Sequence, residues 1–280
     1  MNKKEFDDFF ELYSKNVDNA NRHGFWKLSD TLITQIIKNN IPPETVTGNN
    51  IILDAGGGTG RWVCDLSKSY NSKFIVYDLS NDMLDKAREN TKNANIEDRV
   101  KLIKGDLKNM KKIKSDSVDH IISIYSSISF IYEKEKAFNE MFRVLKKKGK
   151  IIIMGHSFYN SIASKINNFC AGVKELETMD EEKIVKWGTH VPKLNTFSKE
   201  VLENDLQQAG FILKKTYGIP VFVQPGPEDF DPENKKKSRI SAALEKADFF
   251  GEVFKLEMKY NCQPEVVNRG MNIFAVAAKY

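Results

Sequence analysis

Apolar segments of strand length alternate with amphipathic segments between residues 51 and 155. The apolar segments occupy residues 51–55, 73–78, 99–106, 118–125 and 149–155. The segments between them have the apolar spacing that is typical of helices, and they occupy residues 60–68, 80–91 and 133–146. Strands that alternate with helices are joined by right-handed crossovers and form a parallel sheet covered on both faces. The pattern therefore predicts an α/β fold.

The regular alternation stops on either side of this core. At the N-terminus, Phe6, Phe9, Phe10 and Tyr13 share one face of a predicted helix, which either packs as an ordinary element or covers a ligand. Beyond the core we expect a helix capped by Ser198, a strand from residue 211, a long loop, a helix over 238–254 and a last apolar strand. The predicted organisation is an N-terminal helical lid (1–44), the core (45–156), a helical insertion (157–196), further core (197–219), a loop-and-helix insertion (220–268) and the final core strand (269–280).

The stretch LDAGGGTG, residues 53–60, ends the first strand in glycines. Ligands of open α/β sheets bind beyond the carboxyl ends of the strands, so this loop is where we expect a ligand. Gly56, Gly58 and Gly60 let the backbone approach it closely, and a helix that begins after them directs free N–H groups toward it. Glycines alone also suit a tight turn, so a pyrophosphate, a nucleoside and no ligand at all remain open at this point.

Two carboxylates further along the chain narrow these alternatives. Asp78 ends the second strand, where it can accept hydrogen bonds from both hydroxyls of a ribose. Asp106 ends the third strand, within reach of an adenine amino group. Either acid alone is equally well explained as a helix cap. Together with Asp54 and the glycine loop, they predict an adenosine that lies across the tips of three strands.

These motifs resemble those of class I S-adenosylmethionine-dependent methyltransferases, in particular the branch that acts on small molecules. The matching segments are LDAGGGTG, YDLSNDML, KGDL, VDHIISIYSSISFI and AFNEMFRVLKKKGKIIIM. The resemblance is specific over residues 48–156, looser over 197–280 and absent from the two long insertions. It implies a Rossmann-like, seven-stranded, mostly parallel sheet with helices on both faces, an antiparallel C-terminal strand and a helical lid.

The resemblance also implies a cofactor, S-adenosyl-L-methionine, which leaves as S-adenosyl-L-homocysteine. The residues that it implies as contacts are Asp54, Ala55, Gly56, Gly58, Gly60, Asp78, Leu79, Met83, Gly105, Asp106, Leu107 and Tyr125. Asp54 and the loop of Gly56, Gly58 and Gly60 would hold the methionine end, and Asp78 would bind the ribose hydroxyls. Leu79 and Met83 would pack on the adenine faces. Asp106 and the backbone of Leu107 would read the adenine edge, and Tyr125 would border the departing methyl group.

One segment departs from the pattern of that family. The turn before the fifth strand commonly reads Leu-Lys-Pro-Gly-Gly, and here it is LKKKGK, with Lys148 and Lys150 in place of the proline and a glycine. The turn is remote from the predicted ligand, so we expect the change to affect the stiffness of the turn rather than activity.

Other functions agree less well with these residues. A nicotinamide dehydrogenase also places an acid about 20 residues after its glycines, but its fingerprint requires a glycine where this chain has Arg61. A protein that binds the cofactor without turnover, and a peptide, protein or RNA methyltransferase, remain as alternatives.

Transfer to a hydroxyl or a protonated amine requires a base. His156 follows the fifth strand at the predicted ligand edge, so it is a candidate base or substrate contact, with a local structural hydrogen bond as the alternative. His190 and Tyr125 are further catalytic candidates, and no metal is expected. The surrounding insertions are rich in aromatic residues, which suits a small-molecule acceptor.

The composition indicates which partners and which cellular compartment to expect. A net charge of +5, from 43 basic and 38 acidic residues spread along the chain, gives little reason to expect nucleic acid. Three widely spaced cysteines, Cys64, Cys170 and Cys262, suit free thiols in a reducing compartment. With no apolar N-terminal run and no spanning helix in the sequence, we expect a cytoplasmic protein without membrane insertion, as a monomer or homodimer.

Overall fold

A computed structural model of the chain describes residues 3–16, 18, 23–125, 127–230 and 236–280. Its centre is a seven-stranded sheet in the order β3-β2-β1-β4-β5-β9-β8. The strands are β1 (Ile51–Ala55), β2 (Lys73–Asp78), β3 (Val100–Lys104), β4 (Val118–Ser123), β5 (Leu145–His156), β8 (Ile212–Ile219) and β9 (Asn272–Ala278), and the two-residue strands β6 (Ile184–Val185) and β7 (Leu194–Asn195) form a separate pair. Strands β1 to β5 pair in parallel, and β9 is antiparallel to both of its neighbours. The predicted fold class is confirmed.

Helices cover both faces of the sheet. They are α1 (Lys3–Asn16), α2 (Gly24–Asn40), α3 (Arg61–Leu66), α4 (Asn81–Asn93), α5 (Lys134–Val144), α6 (Phe158–Asn167), α7 (Val173–Glu182), α8 (Lys199–Gln208), α9 (Arg239–Ala243), α10 (Ala247–Tyr260) and α11 (Pro264–Val267). One face packs against the apolar sides of α2, α3 and α4, and the other against α5 and α8. Within the described part of the chain, none of the helices is long and apolar enough to cross a bilayer.

The predicted elements of the core agree with the structure, and β1 and β2 have the predicted bounds. Strand β5 begins four residues earlier than predicted, because its first part continues through the turn at Lys148, where φ is 64°. The backbone N–H of Lys148 donates to the carbonyl of Lys279 across that turn, at 2.7 Å. The lysine that replaces the proline of the family pattern is therefore a left-handed turn residue that ties β5 to the C-terminal strand.

Two additions differ from their predicted form. The single helix expected over 238–254 is two helices, because α9 ends with a C-cap at Leu244 and Lys246 takes an extended N-cap conformation before α10. The insertion over 157–196 contains the β6–β7 pair besides its helices α6 and α7. A strand pair of two residues each is too short to produce an alternating pattern, so the sequence did not reveal it.

Two buried carboxylates hold the insertion over 220–268 together and join it to α2. The buried carboxylate of Glu257 on α10 accepts the backbone N–H groups of Val221, Phe222 and Val223, at 2.8 to 3.0 Å. Further along, the buried carboxylate of Asp229 accepts from Ser241 Oγ at 2.6 Å, and the carbonyl of Asp229 accepts from the indole of Trp26 on α2 at 2.6 Å. The loop after β8 is thereby fixed beside the N-terminal end of α2.

Candidate functional site

The glycine loop after β1 has the backbone geometry that only glycine adopts freely. Gly56, Gly58 and Gly60 have φ angles of 73°, 51° and 70°. The loop returns toward its neighbours through hydrogen bonds from the N–H of Gly56 to the carbonyl of Tyr77, at 2.8 Å, and from Ser127 Oγ to the carbonyl of Gly56, at 2.9 Å. Its position is therefore fixed from both β2 and the segment after β4. Helix α3 begins directly after Gly60 but has only six residues, so its dipole contributes little.

Asp78 lies at the end of β2 and faces this loop. Its Oδ2 accepts from the N–H of Gly58 and its Oδ1 from the N–H of Ser80, both at 2.9 Å. Burial raises the pKa of Asp78, and these backbone donors act in the opposite direction. Each carboxylate oxygen has a second lone pair, so both can accept a further hydrogen bond from a diol.

Asp54 lies beneath the loop, and its side chain is enclosed. The residue is 1 % exposed, and its Oδ2 has no hydrogen-bond partner among the described residues. Burial, with the nearby charge of Asp78, raises the pKa of Asp54 to about 7, although Arg61 acts to lower it. A Cβ at Gly57 would lie 2.7 Å from Asp54 Cγ, so the loop backbone rests directly on this carboxyl group.

The segment after β3 continues the same edge of the sheet. Gly105 packs against the ring of Tyr77, leaving no room for a side chain, and Leu107 is buried. Asp106 accepts from the N–H of Lys108 at 2.9 Å and forms an ion pair with its ammonium group at 3.7 Å. The carboxylate of Asp106 thus shapes its own turn while remaining partly exposed at the edge.

The side chains after β2 differ in exposure. Leu79 is 43 % exposed, although it is a large apolar residue, whereas Met83 is buried under the glycine loop. A Cβ at Gly58 would lie 3.7 Å from Met83 Sδ. Leu79 therefore offers an apolar surface beside Asp78, and Met83 supports the loop from below.

Tyr125 belongs to a polar cluster that the sequence did not reveal. Its hydroxyl donates to the carboxylate of Asp30 on α2, and Arg61 donates to both oxygens of the same carboxylate, at 2.6 and 3.4 Å. The φ angle of Tyr125 is 55°, and its N–H points to Met154 Sδ at 3.3 Å. Trp26 and Trp62 contact the tyrosine ring, with centroids 5.8 and 5.9 Å away. In the sequence, Arg61 was noted only because it departs from the dinucleotide fingerprint. No pattern indicated its ion pair with Asp30, 31 residues away.

Helix α1 lies over this edge of the sheet. Phe10 contacts Phe130 after β4, with ring centroids 5.3 Å apart, and Asp18 beyond the helix accepts from Thr59 Oγ1 in the glycine loop at 3.0 Å. The second carboxylate oxygen of Asp18 accepts from Asn90 on α4 at 3.1 Å. The N-terminal segment therefore bridges from α4, across the glycine loop, to the segment after β4.

Comparison with known proteins shows which proteins the core resembles. Residues 52–149 match the family model described as "Methyltransferase domain". The matched residues begin in β1 and end in β5. The ubiquinone/menaquinone biosynthesis C-methyltransferase UbiE of Vibrio vulnificus is 31% identical to the chain over 108 residues. The match covers 38% of this chain and 41% of that relative, so the chain spans less than half the length of the curated relative.

Two solved structures share the fold over most of the chain. The [4+2]-cyclase SpnF superposes with a TM-score of 0.61 at 14% identity, covering 98% of this chain and 95% of that one. Geranyl diphosphate C-methyltransferase from Streptomyces coelicolor, in a complex with S-adenosyl-L-homocysteine, gives a TM-score of 0.54 at 14% identity, covering 88% and 77%. At these identities the likeness establishes the fold, and it extends to the additions outside residues 52–149.

The residues at this edge of the sheet fit the predicted cofactor, S-adenosylmethionine. The structure brings the predicted contacts of β1, β2 and β3 to one edge of the sheet, in neighbouring positions. Asp78 has free lone pairs for a diol, Leu79 presents an exposed apolar side chain next to it, and the buried Oδ2 of Asp54 lacks a partner. Tyr125 lies on the far side of the glycine loop, after β4.

The two histidine candidates occupy different environments. His156 is buried, its Nε2 accepts from the indole of Trp187 at 3.1 Å, and its ring also bonds to Asn272. Burial lowers the pKa of His156 to about 4, so the ring is neutral at physiological pH. Its lone pair is already used, and this arrangement favours a structural bond over a base. His190 is exposed on the β6–β7 connection.

Proposed function

We propose that this chain is an S-adenosylmethionine-dependent methyltransferase that transfers a methyl group to oxygen, nitrogen or carbon of a small-molecule acceptor. The observation that carries the proposal is the convergence of Asp54, Asp78 and Asp106 with the glycine loop at one edge of the sheet. Two similar proteins support a small-molecule acceptor. UbiE is named for ubiquinone and menaquinone biosynthesis, and a structural neighbour is named for the methylation of geranyl diphosphate. Both are C-methyltransferases of small molecules by name.

In this proposal each group has a role that follows from its chemistry. S-adenosylmethionine supplies an activated methyl group on a cationic sulfur. Asp78 accepts hydrogen bonds from the ribose hydroxyls, Leu79 and Met83 pack on the adenine side, and Gly105, Asp106 and Leu107 border its edge. Asp54, Ala55 and the loop of Gly56, Gly58 and Gly60 hold the methionine end.

The rest of the chain excludes water and orients the acceptor. In-line displacement depends on positioning and desolvation, and the leaving group needs no proton. Tyr125 borders the transferred methyl group, and its rigid placement by Asp30 and Arg61 suits an orienting role. His156 and His190 would contact the acceptor only if the acceptor is long enough to reach the insertion over 157–196. The segment 1–44 and the other additions act as a cover over the site.

The remaining features of the proposal follow from the sequence. The acceptor is a free small molecule rather than nucleic acid, and the protein works in the cytoplasm as a monomer or homodimer. The three cysteines are free thiols in the structure, which agrees with a reducing compartment.

Transfer of label from S-adenosylmethionine with a tritiated methyl group tests the activity directly. The protein is incubated with cell extract separated by filtration into small molecules and macromolecules. We expect label in an organic-extractable product from the small-molecule fraction, and none with the Asp78→Ala variant. Label in protein or RNA would contradict the acceptor class. Tight cofactor binding with no transfer to either fraction would show a non-catalytic protein, an outcome worth testing because the fold is shared with a cyclase.

A further inference from the structure

The protonation state of Asp54 is open to change by a bound ligand. Its carboxyl group is 1 % exposed, and its Oδ2 has no partner among the described residues. The backbone of Gly57 covers it so closely that an added Cβ would lie 2.8 Å from that oxygen. A buried, incompletely paired carboxyl group is stable in its neutral form unless a positive charge comes near.

The charged neighbours of Asp54 come from two elements. Asp78 on β2 disfavours ionisation of Asp54, and Arg61 at the start of α3 favours it. Arg61 is held by Asp30 through two hydrogen bonds, so much of its charge is already balanced. From β4 the nearest polar group is the neutral hydroxyl of Ser123, which donates to the carbonyl of Ala55 at 2.8 Å. Burial and these neighbours together place the pKa of Asp54 at about 7.

The two forms of the cofactor differ by one charge at the sulfur. When the S–CH₃ bond breaks, its electron pair stays on sulfur, and the sulfonium cation becomes a neutral thioether. The amino and carboxylate groups of the methionine end are the same in both forms. A titratable acid near the sulfur therefore experiences one positive charge more in the complex before transfer than in the complex after it.

We propose that Asp54 makes the site distinguish the cationic cofactor from the neutral product, by releasing its proton when the sulfonium form binds and regaining one from solvent after transfer. This inference rests on the proposed function, because it takes S-adenosylmethionine as the ligand. Ionised Asp54 attracts the sulfonium cation and loses this attraction when the sulfur becomes a neutral thioether, so product release is coupled to proton uptake. Without a group that responds to the charge on the sulfur, the site would bind product and cofactor through the same contacts.

The sign of the pH dependence follows from this coupling. Above the pKa of Asp54 the carboxylate is present in the free protein and favours S-adenosylmethionine, whereas below it the cation must first displace a proton. We expect the ratio of the dissociation constants, product over cofactor, to rise about tenfold between pH 6 and pH 8. Binding of S-adenosylhomocysteine alone should change little over that range.

Calorimetric titration tests the coupling without any acceptor. S-adenosylmethionine, S-adenosylhomocysteine and the stable cationic analogue sinefungin are titrated at pH 6, 7 and 8, in buffers of different ionisation enthalpy. We expect the two cationic ligands to release about half a proton per site near pH 7, and S-adenosylhomocysteine to release much less. A ratio of dissociation constants that does not change with pH, with S-adenosylhomocysteine still bound, would overturn the inference and leave the proposed function intact. Failure of all three ligands to bind would instead remove the proposed function.

Two variants separate a proton-exchanging Asp54 from a merely structural one. In Asp54→Asn, the ratio of dissociation constants should no longer depend on pH, and ligand binding should release no proton; the wild-type dependence in this variant would contradict the inference. Arg61→Gln serves where that variant does not fold. Removal of the guanidinium charge raises the pKa of Asp54, so the midpoint of the pH dependence should move to higher pH, and an unchanged midpoint would contradict the inference.

Discussion

Asp54 and Asp78 are the same residue type at the ends of neighbouring strands, yet the structure gives them different chemistry. Asp78 is bonded by two backbone N–H groups, which hold it in place for a ligand. Asp54 is covered by the loop backbone and lacks a partner for Oδ2 among the described residues. A sequence motif alone treats both as cofactor contacts. The distinction between an anchored and an exchangeable carboxylate depends on which backbone N–H groups reach each side chain.

The raised pKa of Asp54 predicts how stability depends on pH in the ligand-free protein. The folded protein holds a proton on Asp54 up to about pH 7, whereas the unfolded chain loses it near the ordinary aspartate pKa. Ionisation between those values therefore favours the unfolded chain, and the free energy of unfolding falls as pH rises toward 8. We expect Asp54→Asn to remove this contribution, making the variant more stable than the wild type at pH 8 by on the order of 3 kcal/mol and about equally stable at pH 4.

Urea unfolding of both proteins at pH 4, 6 and 8 measures this difference. The exposed Asp85, whose carboxylate pairs with Arg88 on the surface of α4, offers a matched control, and Asp85→Asn should follow the wild type at each pH. Parallel pH profiles for the wild type and Asp54→Asn would show that Asp54 is ionised in the folded protein.

At the scale of elements, single buried carboxylates join parts of the additions to one another. Glu257 on α10 accepts from the backbone of residues 221–223, and Asp229 joins the following loop to α2 and α9. Trp26 of α2 in turn contacts Tyr125 beside the glycine loop. The placement of Tyr125 therefore depends on a chain of contacts that begins at α10.

Glu257→Gln tests this dependence. The amide places a donor where one backbone N–H now finds an acceptor, and a buried donor without a partner costs about 1–3 kcal/mol in the free energy of unfolding. Glu252→Gln, on the same helix but at an exposed ion pair with Lys255, should change that free energy by less than about 0.5 kcal/mol. Equal, small effects of the two substitutions in urea unfolding would show that the loop after β8 does not depend on Glu257.

For the whole molecule, local patterns predicted the core well and the additions less well. The parallel strands of the core are long, apolar and separated by helices, so periodicity alone located β1 and β2 at their observed bounds. The insertion of β9 between β5 and β8 pairs residues more than 50 positions apart, and only the resemblance to a family implied it. The break between α9 and α10 does not interrupt the apolar pattern, because both helices pack against α2.

The candidate site was likewise predicted only in part. Residues adjacent in sequence to the strand ends were predicted, because the topology of a parallel sheet brings all such ends to one edge. The cluster of Asp30, Arg61 and Tyr125 joins three elements, and its members have no fixed spacing in sequence. The bond from Trp187 to His156 likewise depends on how an insertion folds back. Contacts of this kind follow from tertiary packing, which a single sequence does not specify by pattern.

In the proposed function, one adenosine lies across the tips of β1, β2 and β3, held by Asp78. Calorimetric titration of S-adenosyl-L-homocysteine into the wild type and Asp78→Ala, with Asp85→Ala as the control, tests this binding mode. We expect the wild type and the control to bind with the same affinity. We expect Asp78→Ala to lose about 30-fold or more in affinity, because a charged acceptor of ribose hydrogen bonds is removed. Failure of the wild type to bind, or equal affinity in Asp78→Ala, would contradict it.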